Sequence, residues 1–130
     1  MRIGDEVDAE KAFATMAERQ VSGLVYGASS YFQVIADKLS KLAARHRIPA
    51  IYEWPEFVSV GGLMSYNASR RELARLSGDY AGRILKGADP ANLPVVRTTR
   101  FELAINIKTA NALGLTVPQA LLARADQVIE

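Results

Sequence analysis

The sequence predicts an α/β fold, a three-layer αβα sandwich around a mostly parallel sheet. Two short apolar runs, Val21–Tyr26 and Ile48–Tyr52, flank a stretch whose apolar residues recur at three- and four-residue steps. Strand, helix and strand within about thirty residues form a β-α-β unit, whose strands run parallel through a right-handed crossover. A capped helix over Ser69–Gly87 and an alternating strand over Phe101–Ile107 complete the pattern.

The N-terminal third predicts two helices around the first strand. Asp5 or Asp8 is placed to cap a helix that ends at about Gln20. Ser30 and Gln33 have the spacing of a capping box and open a second helix, which continues to about His46. The predicted buried residues of these helices are Phe13, Met16, Ala17, Phe32, Ile35, Leu39 and Leu42.

The helix after the third strand has the clearest boundaries in the chain. Ser69 and Glu72 form a capping box at its start. Gly87 can adopt the left-handed conformation after its last turn, and Asp89-Pro90 prevents continuation. Its apolar face consists of Leu73, Leu76, Tyr80 and Ile84.

The remaining segments divide the chain into three parts, at about 1–60, 61–100 and 101–130. We expect a loop or one helical turn at Glu53–Val60, a third strand at Gly62–Tyr66 and an extended connector at Ala88–Arg100. An edge strand with one solvent-exposed face is predicted at Phe101–Ile107, because its apolar residues alternate. A short helix at Lys108–Leu113 is stopped by Gly114, and a last helical turn at Gln119–Arg124 follows Pro118.

Composition excludes several classes of protein. The 130 residues suffice for one core, and the net charge is only +2 with basic and acidic residues interleaved, so no nucleic-acid-binding stripe is expected. There is no cysteine, which rules out disulfides and a thiol nucleophile. The first ten residues, MRIGDEVDAE, lack the apolar core of a signal peptide, so we expect a cytoplasmic protein if Met1 is the true start.

Catalysis has little support in the sequence. The single histidine, His46, lies between Arg45 and Arg47 at a predicted helix end, where a solvated position is expected. No G-x-S-x-G, G-x-G-x-x-G or P-loop motif is present. Glu53 and Glu56 lie close together but lack a partnering nucleophile or metal ligand. We therefore expect no enzyme activity and no cofactor.

Ligand binding is better supported, because polar and aromatic residues follow the carboxyl ends of the predicted strands. Ligands of open α/β sheets bind at this edge. Aromatic faces can sandwich a flat or aliphatic solute, hydroxyls can orient it, and helix N-termini favour anions. Each residue taken singly also fits a core or capping role. The candidate ligand-binding residues are Tyr26, Gly27, Ser29, Ser30, Trp54, Glu56, Phe57, Ser65, Tyr66 and Asn67, beside Tyr31 and Tyr52.

Three stretches carry a resemblance to a known family: GGLMSY at Gly61–Tyr66, GRILKGADPANLPV at Gly82–Val95, and the whole of Phe101–Glu130. They resemble the C-terminal part of ABC-transporter substrate-binding proteins of the type I periplasmic-binding-protein fold, whose two lobes close on a small ligand. The resemblance implies binding of a small organic solute such as an amino acid, an ABC permease as partner, a periplasmic location and no chemistry. It places Tyr26–Ser30, Tyr52–Phe57 and Ser65–Asn67 in the cleft between the lobes.

The chain departs from that family in length. Family members are more than twice as long and begin with an export signal and a complete first lobe. The resemblance therefore implies a second lobe with its crossover segments, and we expect a fragment that self-associates or needs the missing N-terminal lobe. A ligand-sensing regulatory domain of the same fold, a non-functional truncated remnant and an α/β enzyme are the alternatives.

Overall fold

The computed structural model describes residues 6–27 and 29–130. Within those ranges no helix is long and apolar enough to cross a membrane. The elements, in chain order, are α1 (Glu6–Glu18), β1 (Leu24–Val25), α2 (Ser30–Val34), α3 (Ala36–Arg45), β2 (Ala50–Tyr52), α4 (Pro55–Ser59), β3 (Met64–Ala68), α5 (Arg70–Leu85), a 3-10 turn (Pro90–Asn92), β4 (Phe101–Asn106), α6 (Ile107–Ala112), α7 (Gln119–Leu122) and β5 (Gln127–Ile129).

The sheet has five strands in the order β1-β2-β3-β4-β5. Strands β1, β2 and β3 are parallel neighbours, and β4 is parallel to β5. Between β3 and β4, the Asn106 amide donates to the Leu63 carbonyl and the Ser69 amide to the Arg100 carbonyl. From the first hydrogen bond to the second, the residue number increases along β3 and decreases along β4, so these two strands are antiparallel. The sheet is thus mixed and mostly parallel, and helices flank it, which confirms the predicted fold class.

The chain separates into two units, Met1–Tyr66 with Leu103–Glu130, and Asn67–Glu102. The first unit holds the hydrophobic core. Helix α1 contributes Phe13 and helix α3 contributes Leu39, both fully buried, as their helical spacing predicts. Tyr52 of β2 belongs to the same core cluster, and Ile105 of β4 is also almost completely buried.

The second unit confirms the predicted helix signals. The Ser69 hydroxyl accepts a hydrogen bond from the Glu72 amide at 3.4 Å. Gly87 has φ +96°, the left-handed conformation that glycine adopts without steric cost. The Asp89 carboxylate accepts from the Ala91 amide and so caps the 3-10 turn that follows. Helix α5 is therefore defined at both ends by local contacts.

Helix starts in the N-terminal third differ from the prediction. Asp8 lies inside α1 instead of capping it, and Asp5 lies outside the described residues. The N-cap of α2 is Ser29, without a side-chain bond, and not Ser30. The predicted single helix divides at Ile35, whose backbone (φ −103°, ψ 21°) leaves helical geometry while its side chain is buried. The break between α2 and α3 thus coincides with a buried residue, Ile35.

Strand β4 is not the predicted edge strand. It lies between β3 and β5, and every residue from Leu103 to Asn106 is buried. The polar residue in this run, Asn106, suits a buried position because its side-chain amide donates to the Val58 carbonyl and accepts from the Thr109 amide. Strand β5 was not predicted, because three residues beginning with Gln127 are too short to show alternation.

Candidate solute-binding site

The carboxyl ends of β1 and β2 lie beside β3 at one edge of the sheet. Val25 pairs with Ile51 and Tyr52 pairs with Ser65, so β1 and β2 end side by side while β3 continues to Ala68. Tyr26 and Gly27 follow β1, Glu53 and Trp54 follow β2, and Tyr66 lies within β3, one residue past its last pairing with β2. The parallel register therefore gathers most of the predicted ligand-binding residues of the first unit.

Three rings beneath this edge form an aromatic platform, consisting of Tyr26, Tyr52 and Phe57. The Tyr52 ring stacks between the other two, with centroids 4.8 Å from Tyr26 and 4.7 Å from Phe57. All three side chains are buried. Phe32 adds an edge-on contact to Tyr26 at 5.6 Å. Stacking of this kind stabilises the packing by more than the burial of apolar area alone. The platform therefore fixes the positions of the segments that carry its three rings.

The two phenol groups of the platform are buried without a hydrogen-bond partner among the described residues. Burial raises the pKa of Tyr52 to about 12, and the nearby Ser40 hydroxyl opposes the rise in part. Burial, and then the neighbouring Tyr52 phenol, raise the pKa of Tyr26 far above its usual range. Both groups are therefore protonated at neutral pH and do not serve as bases.

The segment that carries Trp54 and Glu56, which includes α4, is fixed by contacts on several sides. Pro55 occupies the first position of α4, where proline is favoured. The Gly62 amide donates to the Phe57 carbonyl at 2.7 Å, and a Cβ on Gly62 would lie 2.7 Å from that oxygen and from the Tyr52 ring. Only glycine fits there, which explains the second glycine of the GGL sequence.

Two residues from the C-terminal segment complete this support, and the sequence analysis did not identify them. Asn106 donates to the Val58 carbonyl at 3.2 Å, and the Thr109 hydroxyl donates to the Gly61 carbonyl at 3.0 Å. The Asn106 carbonyl oxygen also caps α6 by accepting from the Thr109 amide at 2.9 Å. The N-x-x-T spacing at the end of an apolar strand was the available signal.

The predicted site residues differ in exposure. Gly27, Ser30, Glu56 and Tyr66 are exposed, and Ser29 and Trp54 are half-buried. Three others, Tyr26, Phe57 and Ser65, are buried. Asn67 belongs to the second unit, where its side-chain oxygen accepts from the Ala68 amide at 2.7 Å. Ala28 lies outside the described residues. The accessible surface of the candidate site is therefore formed by the four exposed and two half-buried residues.

The predicted N-terminus at Ser30 offers less stabilisation to an anionic ligand than its sequence pattern suggested. Helix α2, which begins at Ser30, is five residues long, so its dipole is short. His46 is the C-cap of α3, as its predicted helix-end position indicated, but it is half-buried, with its ring stacked on Phe13 at 6.0 Å. Among the described residues, no three His, Cys, Asp or Glu side chains come together as metal ligands.

The model of a known family, the ABC transporter substrate binding protein, matches residues 1–129. The chain belongs to this family. No curated protein matches the chain at a significant level. The long match agrees with the resemblance that the GGLMSY and C-terminal stretches indicated.

Three solved structures share the fold. The ABC domain in complex with L-Trp from Streptococcus pneumonia is 25% identical, with a TM-score of 0.83 over 98% of this chain and 44% of its own. A conserved domain protein from Vibrio cholerae is 24% identical, with a TM-score of 0.82 over 94% of this chain and 41% of its own. The ligand-free, open substrate binding protein with adhesive properties from Clostridium difficile is 20% identical, with a TM-score of 0.71 over 98% and 42%. This chain thus spans about two fifths of these solved chains.

Proposed function

We propose that this chain provides one wall of a solute-binding cleft and binds a small organic solute, such as an amino acid, without catalysis. One observation supports the proposal: β1, β2 and β3 run parallel in register beside the stacked Tyr26 and Tyr52 rings. From this register we expect one row of candidate contacts, consisting of Gly27, Ser29 and Ser30 after β1, Trp54 and Glu56 after β2, and Tyr66 within β3. Ligands of open α/β sheets bind at this edge.

An amino acid suits the chemistry of that row. The indole of Trp54 offers an aromatic face for an apolar side chain, and the Glu56 carboxylate offers a partner for an ammonium group. Exposed backbone at Gly27 and the hydroxyls of Ser29 and Ser30 offer hydrogen bonds to a carboxylate. The L-Trp bound to the Streptococcus protein supports an amino acid ligand for this family member.

The family supports a role in uptake. In this proposal the solute passes to an ABC permease, outside the cytoplasm, and the protein itself makes and breaks no covalent bond. We assign about residues 1–60 to a second-lobe β-α-β unit, 61–100 to a crossover strand, helix and connector, and 101–130 to the C-terminal strand and short helices. Because the chain spans about two fifths of the solved relatives, polypeptide equivalent to their remaining length would supply the opposite wall.

Thermal shift with a panel of the twenty standard amino acids tests the proposal. At least one is expected to raise the melting temperature of the wild type, and Trp54→Ala is expected to abolish that rise. The control is Val21→Ala: Val21, like Trp54, is a partly buried residue packed against the core, but it lies before the opposite end of β1. It should lower the starting melting temperature and keep the ligand-induced rise. A rise that survives in Trp54→Ala would contradict the proposed site.

The carboxylate is tested separately. Glu56→Gln should weaken binding of the identified amino acid by about tenfold, because a charge-assisted hydrogen bond to its ammonium group is reduced to a neutral one. Glu18→Gln, an equivalent change at the exposed end of α1, should leave the affinity unchanged. Calorimetric titration measures both. Equal losses in the two variants would indicate a general charge effect and not a contact with the ligand.

A further inference from the structure

Helix α4 is too short to keep its place by its own hydrogen bonds. It has five residues, and isolated helices of that length are not stable in water. It ends in a Schellman motif, in which the Gly62 amide donates to the Phe57 carbonyl. The Gly61 amide donates to the Val58 carbonyl, and Gly61 has φ +102°. Contacts with other segments of the chain therefore determine where α4 lies.

Two side chains from the junction of β4 and α6 hold this end of α4. The Asn106 side-chain amide donates to the Val58 carbonyl at 3.2 Å, and the Thr109 hydroxyl donates to the Gly61 carbonyl at 3.0 Å. The Thr109 backbone amide donates to the Asn106 side-chain oxygen at 2.9 Å. This bond fixes the orientation of the Asn106 amide, because its oxygen faces an N–H group and its NH₂ faces a carbonyl. Asn106 and Thr109 together are here called the α4 clamp.

The α4 clamp is fixed more firmly than the helix it holds. Asn106 is 5% exposed and lies in β4, between β3 and β5. Its backbone amide donates to the Leu63 carbonyl at 2.8 Å, and Thr109 lies in the first turn of α6. Moving the clamp would disrupt hydrogen bonds of the sheet, whereas moving α4 would break two side-chain bonds. Loss of either clamp bond should therefore displace α4 and leave β4 in place.

Helix α4 carries two of the candidate solute contacts. Trp54 is its N-cap, and Glu56 lies in its first turn. We propose that Asn106 and Thr109 are positioning residues, which act through α4 to set the position of Trp54 and Glu56 and thereby the affinity of the site. The part of this inference that concerns affinity rests on the proposed function. The position of Trp54 can be measured without any solute.

Fluorescence reports the position of Trp54 directly, because Trp54 is the only tryptophan in the chain. Thr109→Val keeps the shape of the side chain and the backbone donor but removes the hydroxyl. We expect its emission to shift to longer wavelength and acrylamide quenching to increase, as the half-buried indole becomes more accessible. Thr109→Ser should restore both values. The matched control, Thr116→Val at an exposed position between α6 and α7, should change neither.

A second variant tests the other half of the α4 clamp. Asn106→Asp keeps the oxygen that accepts from the Thr109 amide but replaces the donor to the Val58 carbonyl, so it should give the same fluorescence shift. Unchanged fluorescence in both Thr109→Val and Asn106→Asp would overturn the proposal. An equal change in Thr116→Val, or a failure of Thr109→Ser to restore the wild-type values, would also overturn it.

Calorimetric titration with L-tryptophan and the other standard amino acids measures the consequence for affinity. Thr109→Val should weaken binding about three- to tenfold, the usual value of one hydrogen bond. The loss should be smaller in a Glu56→Gln background and complete in a Ser30→Ala background, because only Glu56 is carried by α4. Equal losses in both backgrounds would contradict positioning through α4. A fluorescence shift without binding of any amino acid would overturn the proposed function and keep the positioning role.

Discussion

The two units of this chain use similar local signals and reach different degrees of burial. In the first unit, Phe13 and Leu39 are completely buried and belong to a core that includes residues from both its helices and its strands. In the second unit, Asn67–Glu102, all of which the structure describes, the one buried side chain is the polar Ser69. Leu85 and Val95 there are 88% and 93% exposed.

This difference shows that a helix can be well specified without contributing a core. Helix α5 has an N-cap, a glycine stop and an ion pair between Glu72 and Arg75 at 2.9 Å, all of which are contacts within the helix or next to it. Its apolar face borders an open groove of about 440 Å³, whose other side is formed by Leu93, Pro94, Val95 and Val96. Most helical stability in proteins comes from packing, so the first unit should account for nearly all of the measured stability.

The largest expected effect comes from truncating one side chain in each unit. Phe13→Ala should lower the free energy of unfolding by about 3–5 kcal/mol, because it removes a buried ring and leaves a cavity. Leu85→Ala should change it by less than about 0.5 kcal/mol, because the side chain is already exposed. Urea denaturation followed by circular dichroism measures both. A loss above about 2 kcal/mol for Leu85→Ala would mean that the second unit has a packing partner in solution.

A second effect, confined to the first unit, appears at alkaline pH. The unfolded chain loses the Tyr52 proton near pH 10 and the folded chain near pH 12, so this contribution to stability is complete below pH 10 and is lost as the pH rises from 10 to 12. We expect a loss of about 2–3 kcal/mol over that range. Tyr52→Phe should reduce the loss and change the stability little at pH 7, because the hydroxyl has no partner.

The control for the alkaline transition is Tyr66→Phe. Tyr66 is 50% exposed, and its removal should leave the loss of stability between pH 10 and 12 unchanged. Absorbance at the tyrosinate band should show that buried phenols ionise only as the protein unfolds. If Tyr52→Phe and Tyr66→Phe had equal profiles, burial of the platform would not be the cause.

The same comparison explains which parts of the fold the sequence could predict. Helix α5 was predicted to within a residue, because Ser69, Glu72 and Gly87 act locally. Strand β4 was predicted as an edge strand, because Asn106 interrupts its apolar residues as an exposed polar residue would. The alternation does not reveal that the Asn106 amide bonds inside the fold to Thr109 and to Val58, which is 48 residues away in sequence. Contacts between distant segments determine which residues are buried, and the periodicity of apolar residues in a single sequence does not reveal those contacts.

The candidate site shows the same limit. The parallel β-α-β order was enough to place Gly27, Trp54 and Tyr66 at one edge of the sheet. It was not enough to separate the exposed residues from Tyr26 and Phe57, since an aromatic after a strand suits either a ligand contact or a core contact. The supporting glycine, Gly62, was predicted only as part of a strand, because its role depends on close approach of the Tyr52 ring.

One glycine from each unit sharpens the comparison further. Gly62→Ala should lower the free energy of unfolding by about 1–3 kcal/mol, because the new Cβ would lie 2.7 Å from the Phe57 carbonyl oxygen and the Tyr52 ring. Gly78→Ala, within α5, should raise it or leave it unchanged, since no atom lies within 4 Å and alanine favours a helix by about 1 kcal/mol. Thermal unfolding of the two variants gives the sign of each effect. Destabilisation by both would show that α5 packs closely at Gly78.

The smallest effect tests whether local capping is what maintains α5. Ser69→Ala should cost about 1 kcal/mol, because the Glu72 amide loses its acceptor. The matched control is Ser77→Ala, an exposed position in the middle of the same helix, where alanine should be neutral or slightly stabilising. Hydrogen exchange distinguishes local from global effects: Ser69→Ala should speed exchange in the first turn of α5 and leave Leu39 and Ile105 in the core unchanged. If core amides also exchanged faster, the stability of the second unit would be coupled to that of the first. The two units would then differ in the exposure of their side chains but not in their stability.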